Sequence, residues 1–398
     1  MSVLESGVME EVPGSTRESA RKSAAERVPE LDGLRGVAVL VVVISHYLGV
    51  VTITSNPPWL QKFLWSLRIG WSGVDLFFVL SGFLIGGILL DARESKTYYK
   101  TFYMRRVFRI LPVYYLWIAL FMAVTCALQL SDAGRRTAGI AELWVLPKLL
   151  LFGQNIFNDW TAYQWKWFVV TWSLAVEEQF YLIAPLLLRK LDVKRVAWLM
   201  GGVLLAAPAL RLAVFYGPPK WSALATVAMP CRADSLACGI LLAIAWRTPG
   251  VREWIAARTS WLWASFGLLL CGAAAIAKQL CLLPESWVKI SIGYTWLGLL
   301  FSVTVWIGLT QKRSWLAGVM RWKALRALGT ISYCVYIIHM SVNYYAHELL
   351  LKRTKPEIYG LETYAVTLLA LGVTLGLATA SWYWFEKPML RRGHRYAY

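Results

Sequence analysis

Apolar runs long enough to cross a bilayer recur along this chain, near residues 36–53, 70–90, 110–130, 167–188, 196–216, 228–246, 260–282, 290–310, 326–350 and 363–385. A hydrocarbon core roughly 30 Å thick takes about 20 apolar residues per helix. Backbone facing lipid must satisfy its own hydrogen bonds, which helices do within one segment. The expected fold is therefore all-α, a polytopic membrane protein built as a bundle of about ten transmembrane helices. A hydrophobic share of 58% and a mean hydropathy of +0.51 lie well above the soluble range and agree with this.

The chain carries 41 Lys and Arg against 23 Asp and Glu, a net charge of +18. In a soluble protein that excess would suggest nucleic acid. Here no nucleic-acid partner is expected, because Lys and Arg concentrate on the side that holds both termini, as the positive-inside rule requires of cytoplasmic loops. Residues 1–30 are polar, lack the apolar core of a signal peptide and read as a disordered or surface-lying cytoplasmic tail. Residues 31–388 form the membrane domain, and 389–398 a short basic cytoplasmic tail. Cys126, Cys231, Cys238, Cys271, Cys281 and Cys334 sit in or beside apolar runs without a CxxC pair, so they read as small hydrophobes, and no metal is expected. The longest outer connection, 131–166, holds an apolar piece at 143–152 too short to span, expected as an interfacial or re-entrant helix. Its end carries Trp160, Tyr163, Trp165 and Trp167, an interfacial aromatic belt or a place for sugar stacking.

Within the first run, LDGLRGVAVLVVVISHYLGVV, Arg35 stands at the mouth and His46 inside. On an unbroken α-helix their separation rotates the side chain to within about 20° of three full turns and advances it by about 16 Å. Both groups then face one way, one near the membrane surface and one near its midplane. Ionisable groups at that depth are costly and usually face the bundle interior. They form either a functional pair or an interfacial Arg with a His bonded to a neighbouring helix.

Other candidates sort by depth. Arg105, Arg106 and Arg109 cluster in the first inner loop, where Arg106 and Arg109 are i,i+3 neighbours able to present two guanidinium forks to one polyanion. The second run, GVDLFFVLSGFLIGG, carries Asp75 toward its outer end, Ser81 near mid-depth, and Gly82 and Gly86 in a small-xxx-small pair that permits close helix approach. The fourth run places Glu177 and Glu178 in the membrane, and His339 in the ninth lies at the depth of His46. Arg211, Arg232 and Asp234 fall in the outer half with Asp75, either paired with one another or lining a polar vestibule.

Together these motifs resemble membrane acyltransferase family 3, the integral-membrane O-acyltransferases. The resemblance covers nearly the whole chain after residue 30, through ELDGLRG followed by His46, GVDLFFVLSGFLIG, FYMRRVFRILPVYY, WSLAVEEQFYL, RADSLACGILLA, LGTISYCVYIIH and WFEKPMLRR. It implies acyl transfer, of an acetyl or another short acyl group, from acyl-CoA to a hydroxyl of a carbohydrate-containing acceptor. The setting implied is a bacterial inner membrane, with modification of polysaccharide or other cell-envelope sugars. His46 and Glu177 are the implied catalytic residues, and Arg35, Arg106, Arg109, Ser81 and Gly82 the implied cofactor-binding residues. The chemistry is compatible: arginines suit the phosphates of CoA, and an imidazole with an ordinary pKa of about 6.5 is largely neutral near pH 7, as a general base requires. Glu177 is expected to orient or charge-balance His46. Asp75, Arg211, Arg232, Asp234 and His339 are the acceptor-side candidates. Some family members continue into an esterase-like domain, whereas this sequence stops at Tyr398, as a stand-alone member would. The competing reading is a transporter or flippase of a lipid-linked or glycosylated substrate, which ten helices with buried charges also allow.

Overall fold

The computed structural model describes residues 28–49, 57–131, 143–157, 159–282 and 287–398. Ten long helices run in chain order: α1 (Pro29–Ile44), α2 (Gly73–Asp91), α3 (Tyr98–Ser131), α4 (Trp172–Lys190), α5 (Val193–Phe215), α6 (Met229–Arg247), α7 (Thr259–Leu282), α8 (Tyr294–Thr310), α9 (Lys323–Leu351) and α10 (Leu361–Ser381). No strand occurs among the described residues. Nine helical stretches among them are long and apolar enough to cross a membrane. The remaining long helix, α4, is interrupted by Glu177 and Glu178 and ends in Arg189 and Lys190. The expectation of an all-α polytopic membrane protein is met.

The bundle is tightest where glycines let backbones meet. A Cβ on Gly82 would collide with the Leu236 carbonyl of α6, and one on Gly239 with the Val79 carbonyl of α2. Gly86, by contrast, keeps ordinary contact distances of 3.4 Å and more to Ile240 and Ala243. Only the first member of the expected glycine pair is thus required for the seam.

The helix carrying Arg35 and His46 is not unbroken. Its α-helical part starts on a proline at Pro29, where a missing N–H costs nothing, and ends at Ile44; Ser45–Gly49 then follow as a π-turn. Tertiary bonds hold that wide turn open. Ser45 Oγ donates to the Arg68 carbonyl at 3.1 Å, Arg68 Nε donates to the Gly49 carbonyl at 2.8 Å, and Tyr47 OH donates to the His339 carbonyl at 2.9 Å. Each π residue turns the chain by somewhat less than an α residue, so over the one or two such steps before His46 the turn from Arg35 stays close to three full turns.

The piece at 143–152 is a 3-10 turn, Leu143–Val145, leading into a short helix, Leu146–Leu150. Val145 and Leu149 are buried, Phe152 stacks on Tyr114, and Tyr114 OH donates to the Leu149 carbonyl, so it plugs the side of α3. The expected tail at 1–30 lies outside the described residues as far as residue 27. The 389–398 segment is docked rather than trailing: Arg105 Nε donates to the Tyr396 carbonyl at 2.9 Å, and Thr101 Oγ1 to the Ala397 carbonyl at 2.8 Å.

Candidate functional site

Two cavities lie end to end inside the bundle. The first, of about 110 Å³, is lined by Arg35 from α1, Ser81 from α2, Arg106 and Arg109 from α3, Glu177 and Tyr181 from α4, and Tyr333 and Tyr336 from α9. The second, of about 240 Å³, is lined by His46, by Trp71, Trp165 and Trp172, by Arg232, Lys289 and Tyr294, and by Tyr336 and Met340. Val74 and Tyr336 line both and so form the wall where the two meet.

In the first cavity three arginines share the lining with one carboxylate, Glu177. Ser81 Oγ donates to Glu177 Oε1 at 2.7 Å, and Tyr181 OH to Glu177 Oε2 at 3.4 Å. Arg106 also lies over the Tyr181 ring, 5.8 Å from its centroid, and Arg35 is drawn toward Asp32 at 3.5 Å. Arg106 and Arg109 act on the Glu177 carboxylate through space, an attraction that grows where little water screens it. Glu177 thus belongs with the arginines. The expected pairing of Glu177 with His46 is not what the fold builds: the glutamate bonds to Ser81 and Tyr181, and the imidazole bonds elsewhere. Gly82 is also displaced from its expected place, since it sits in the seam with α6 and does not line the cavity.

In the second cavity His46 Nδ1 lies 2.8 Å from His339 Nε2, with the two rings stacked 5.1 Å apart. His339 is fully buried, and its Nδ1 lies 2.8 Å from the Tyr336 carbonyl and 3.2 Å from that of Val335. His339, expected at the depth of His46 and counted among the acceptor-side candidates, is the direct partner of His46.

The remaining outer candidates divide. Arg232 Nη2 donates to Asp75 Oδ1 at 2.7 Å and Ser235 Oγ to the same oxygen at 2.9 Å, while the guanidinium sits 3.6 Å from the Tyr294 ring centroid. Arg232 also lines the His46 cavity. Arg211 does not. Its N–H groups donate to the Ile290, Cys231 and Ser291 carbonyls, to Asp234 and to Thr295, and both Arg211 and Asp234 are fully buried. That pair fastens α5 to α6 and α8 and lines neither cavity.

Sequence reasoning passed over Tyr181, Tyr336, Trp172 and Lys289. Helical spacing offered a signal for two of them: Tyr181 is one turn beyond Glu177, and Tyr336 is one turn before His339. Trp165 had been read with the interfacial belt, yet it lines the cavity of His46.

Residues 28–383 match the model of a family described as an acyltransferase domain. Among curated proteins, the chain is 29% identical to YrhL of Bacillus subtilis, which carries a provisional name as a peptidoglycan O-acetyltransferase. It is 27% identical to the peptidoglycan O-acetyltransferase OatA of Listeria monocytogenes, and 25% identical to a provisionally named O-acetyltransferase of Staphylococcus aureus. Each alignment covers 92% of this chain but only 56%, 56% and 58% of the respective relative. The chain therefore spans little more than half the length of the curated relatives it matches. No solved structure matches.

Proposed function

Because the chain belongs to the acyltransferase-domain family, we propose that it is an O-acyltransferase moving a short acyl group from acyl-CoA to a hydroxyl of a sugar-containing acceptor. The observation that carries this reading is the meeting of an arginine-lined cavity and a histidine-lined cavity at Val74 and Tyr336. Two substrates that arrive from opposite sides can meet at such a junction.

Arg35, Arg106 and Arg109 bind the phosphates of the donor through charge-assisted, forked hydrogen bonds. Glu177, held by Ser81 and Tyr181, spaces the guanidinium groups and offsets their mutual repulsion while no donor is bound. The pantetheine arm then leads the thioester to the junction. From the other side the acceptor enters among Trp71, Trp165 and Trp172, whose flat faces suit sugar rings. His46 takes the proton of the attacking hydroxyl. The new C–O bond forms, the C–S bond breaks, and the departing thiolate recovers the proton from His46. Products are the ester and free CoA.

The peptidoglycan named for two relatives makes a cell-wall sugar the first acceptor to test. In this reading the membrane domain at 31–388 lies in a bacterial inner membrane with both termini cytoplasmic, so that the arginine mouth faces the compartment that holds acyl-CoA. The charge distribution between loops supports that orientation. The test is an assay of purified protein with labelled acetyl-CoA and glycan fragments. Labelled ester is the expected product; no ester with any hydroxyl acceptor, alongside CoA release unaffected by acceptor, would count against the proposal.

A further inference from the structure

The contacts of the His46 ring leave open which of its nitrogens acts, and the buried environment of His339 answers it. A backbone carbonyl only accepts hydrogen bonds, so His339 Nδ1, which faces the carbonyls of Tyr336 and Val335 at 2.8 and 3.2 Å, must carry its proton. In a neutral imidazole the other nitrogen is then a lone pair. That nitrogen, His339 Nε2, lies 2.8 Å from His46 Nδ1, and two lone pairs cannot face each other at this distance. His46 Nδ1 must therefore be the donor, which leaves the lone pair of His46 on Nε2.

We infer that His339 is the positioning residue of the reaction: anchored by two main-chain carbonyls, it holds His46 in the tautomer whose Nε2 is free to take the acceptor's proton. The inference rests on the proposed role of His46 as general base. The chain of donors runs from His46 Nδ1 to His339 Nε2, and from His339 Nδ1 to the α9 backbone, so no carboxylate is involved. That suits the surroundings. The charged residues lining the cavity are Arg232 and Lys289, both cations, and its other titratable groups besides His46 are Tyr294 and Tyr336; Tyr47 meets His339 from below through its carbonyl. When His46 takes up the hydroxyl proton it becomes an imidazolium with N–H on both nitrogens. The Nδ1–H continues to donate to His339, which stays neutral throughout and stabilises the new charge. The thiolate then removes the Nε2 proton, and the relay returns to its starting state. No proton need leave the site.

His339 belongs to α9 and His46 to the π-turn, and a second bond ties the same two elements: Tyr47 OH donates to the His339 carbonyl. The two rings are thereby fixed in both position and plane, as a positioning role demands.

The test compares His339→Gln, His339→Leu and His46→Ala in the acyl-transfer assay, with thermal unfolding in detergent as the check on folding. A Gln amide reproduces both halves of the relay, its oxygen accepting from His46 and its NH2 donating to the Tyr336 carbonyl; Leu reproduces neither. Expected are a kcat loss of about 10²-fold or more for His339→Leu with donor KM unchanged, and recovery of most of that loss in His339→Gln. A folded His339→Gln as inactive as His339→Leu, or a His339→Leu with native kcat, would overturn the inference. If His339→Leu does not fold, the activity of His339→Gln decides alone. Native turnover by a folded His46→Ala would instead remove the general base itself, which separates failure of the proposed function from failure of the relay.

Discussion

Arg211 and Arg232 look alike as residues, each an arginine inside an apolar run, and only their partners tell them apart. All the donors of the Arg211 guanidinium are spent on carbonyls, Asp234 and Thr295. Arg232 shares Asp75 with Ser235 and keeps a side toward the His46 cavity. Removing one member of a buried ion pair strands the other, at a cost of about 3–5 kcal/mol. Arg211→Ala is therefore expected to lower the unfolding temperature in detergent sharply by stranding Asp234. An unchanged unfolding temperature would show that the pair is not structural. Arg106 and Arg109 are predicted to behave in the opposite way. Charge-assisted hydrogen bonds contribute about 1.5–3 kcal/mol each, so Arg106→Ala or Arg109→Ala should raise donor KM by about 10- to 100-fold and leave the unfolding temperature nearly unchanged. A donor KM equal to that of the native protein would remove these arginines from phosphate binding.

Among elements, the seam between α2 and α6 and the π-turn after α1 can each be tested by a single substitution. Gly82→Leu should break the seam, because its side chain would meet the Leu236 carbonyl, whereas Gly201→Ala, with nothing within 4 Å, should be neutral or stabilising. Thermal unfolding of the two variants checks the contrast. The small-residue spacing on α2 was legible in the sequence; the partner helix was not, because spacing names a face and leaves its neighbour open. The π-turn was invisible for a related reason. Nothing in Ser45-His46-Tyr47-Leu48-Gly49 forbids a regular helix, and the turn is held by Arg68, Ser45 and Tyr47 through contacts with other segments. Arg68→Ala should let the turn relax, lowering kcat by roughly tenfold or more through misplacement of His46 while sparing donor KM.

At the scale of the molecule, the ten helices were readable because hydropathy is a property of single segments, and even α4, with two glutamates, was found as one. Arg35, Arg106 and Arg109 line one cavity, and His46 and His339 are hydrogen-bond partners. Depth along a helix says nothing, however, about the direction a side chain faces around it. Glu177 was for that reason expected beside His46 and is found among the arginines, and the bond between His46 and His339 joins residues from opposite ends of the chain. What the packing adds is the division into two cavities with Val74 and Tyr336 between them. In the proposed reaction the donor is consumed in step with the acceptor, which a transporter would not do. The most direct measurement is the amount of CoA released and ester formed by purified native protein and His46→Ala, with and without a glycan acceptor. Equal amounts of both products, dependent on acceptor and abolished in a His46→Ala variant that still binds acetyl-CoA, are predicted; ester formation at the native rate by that variant would contradict the account.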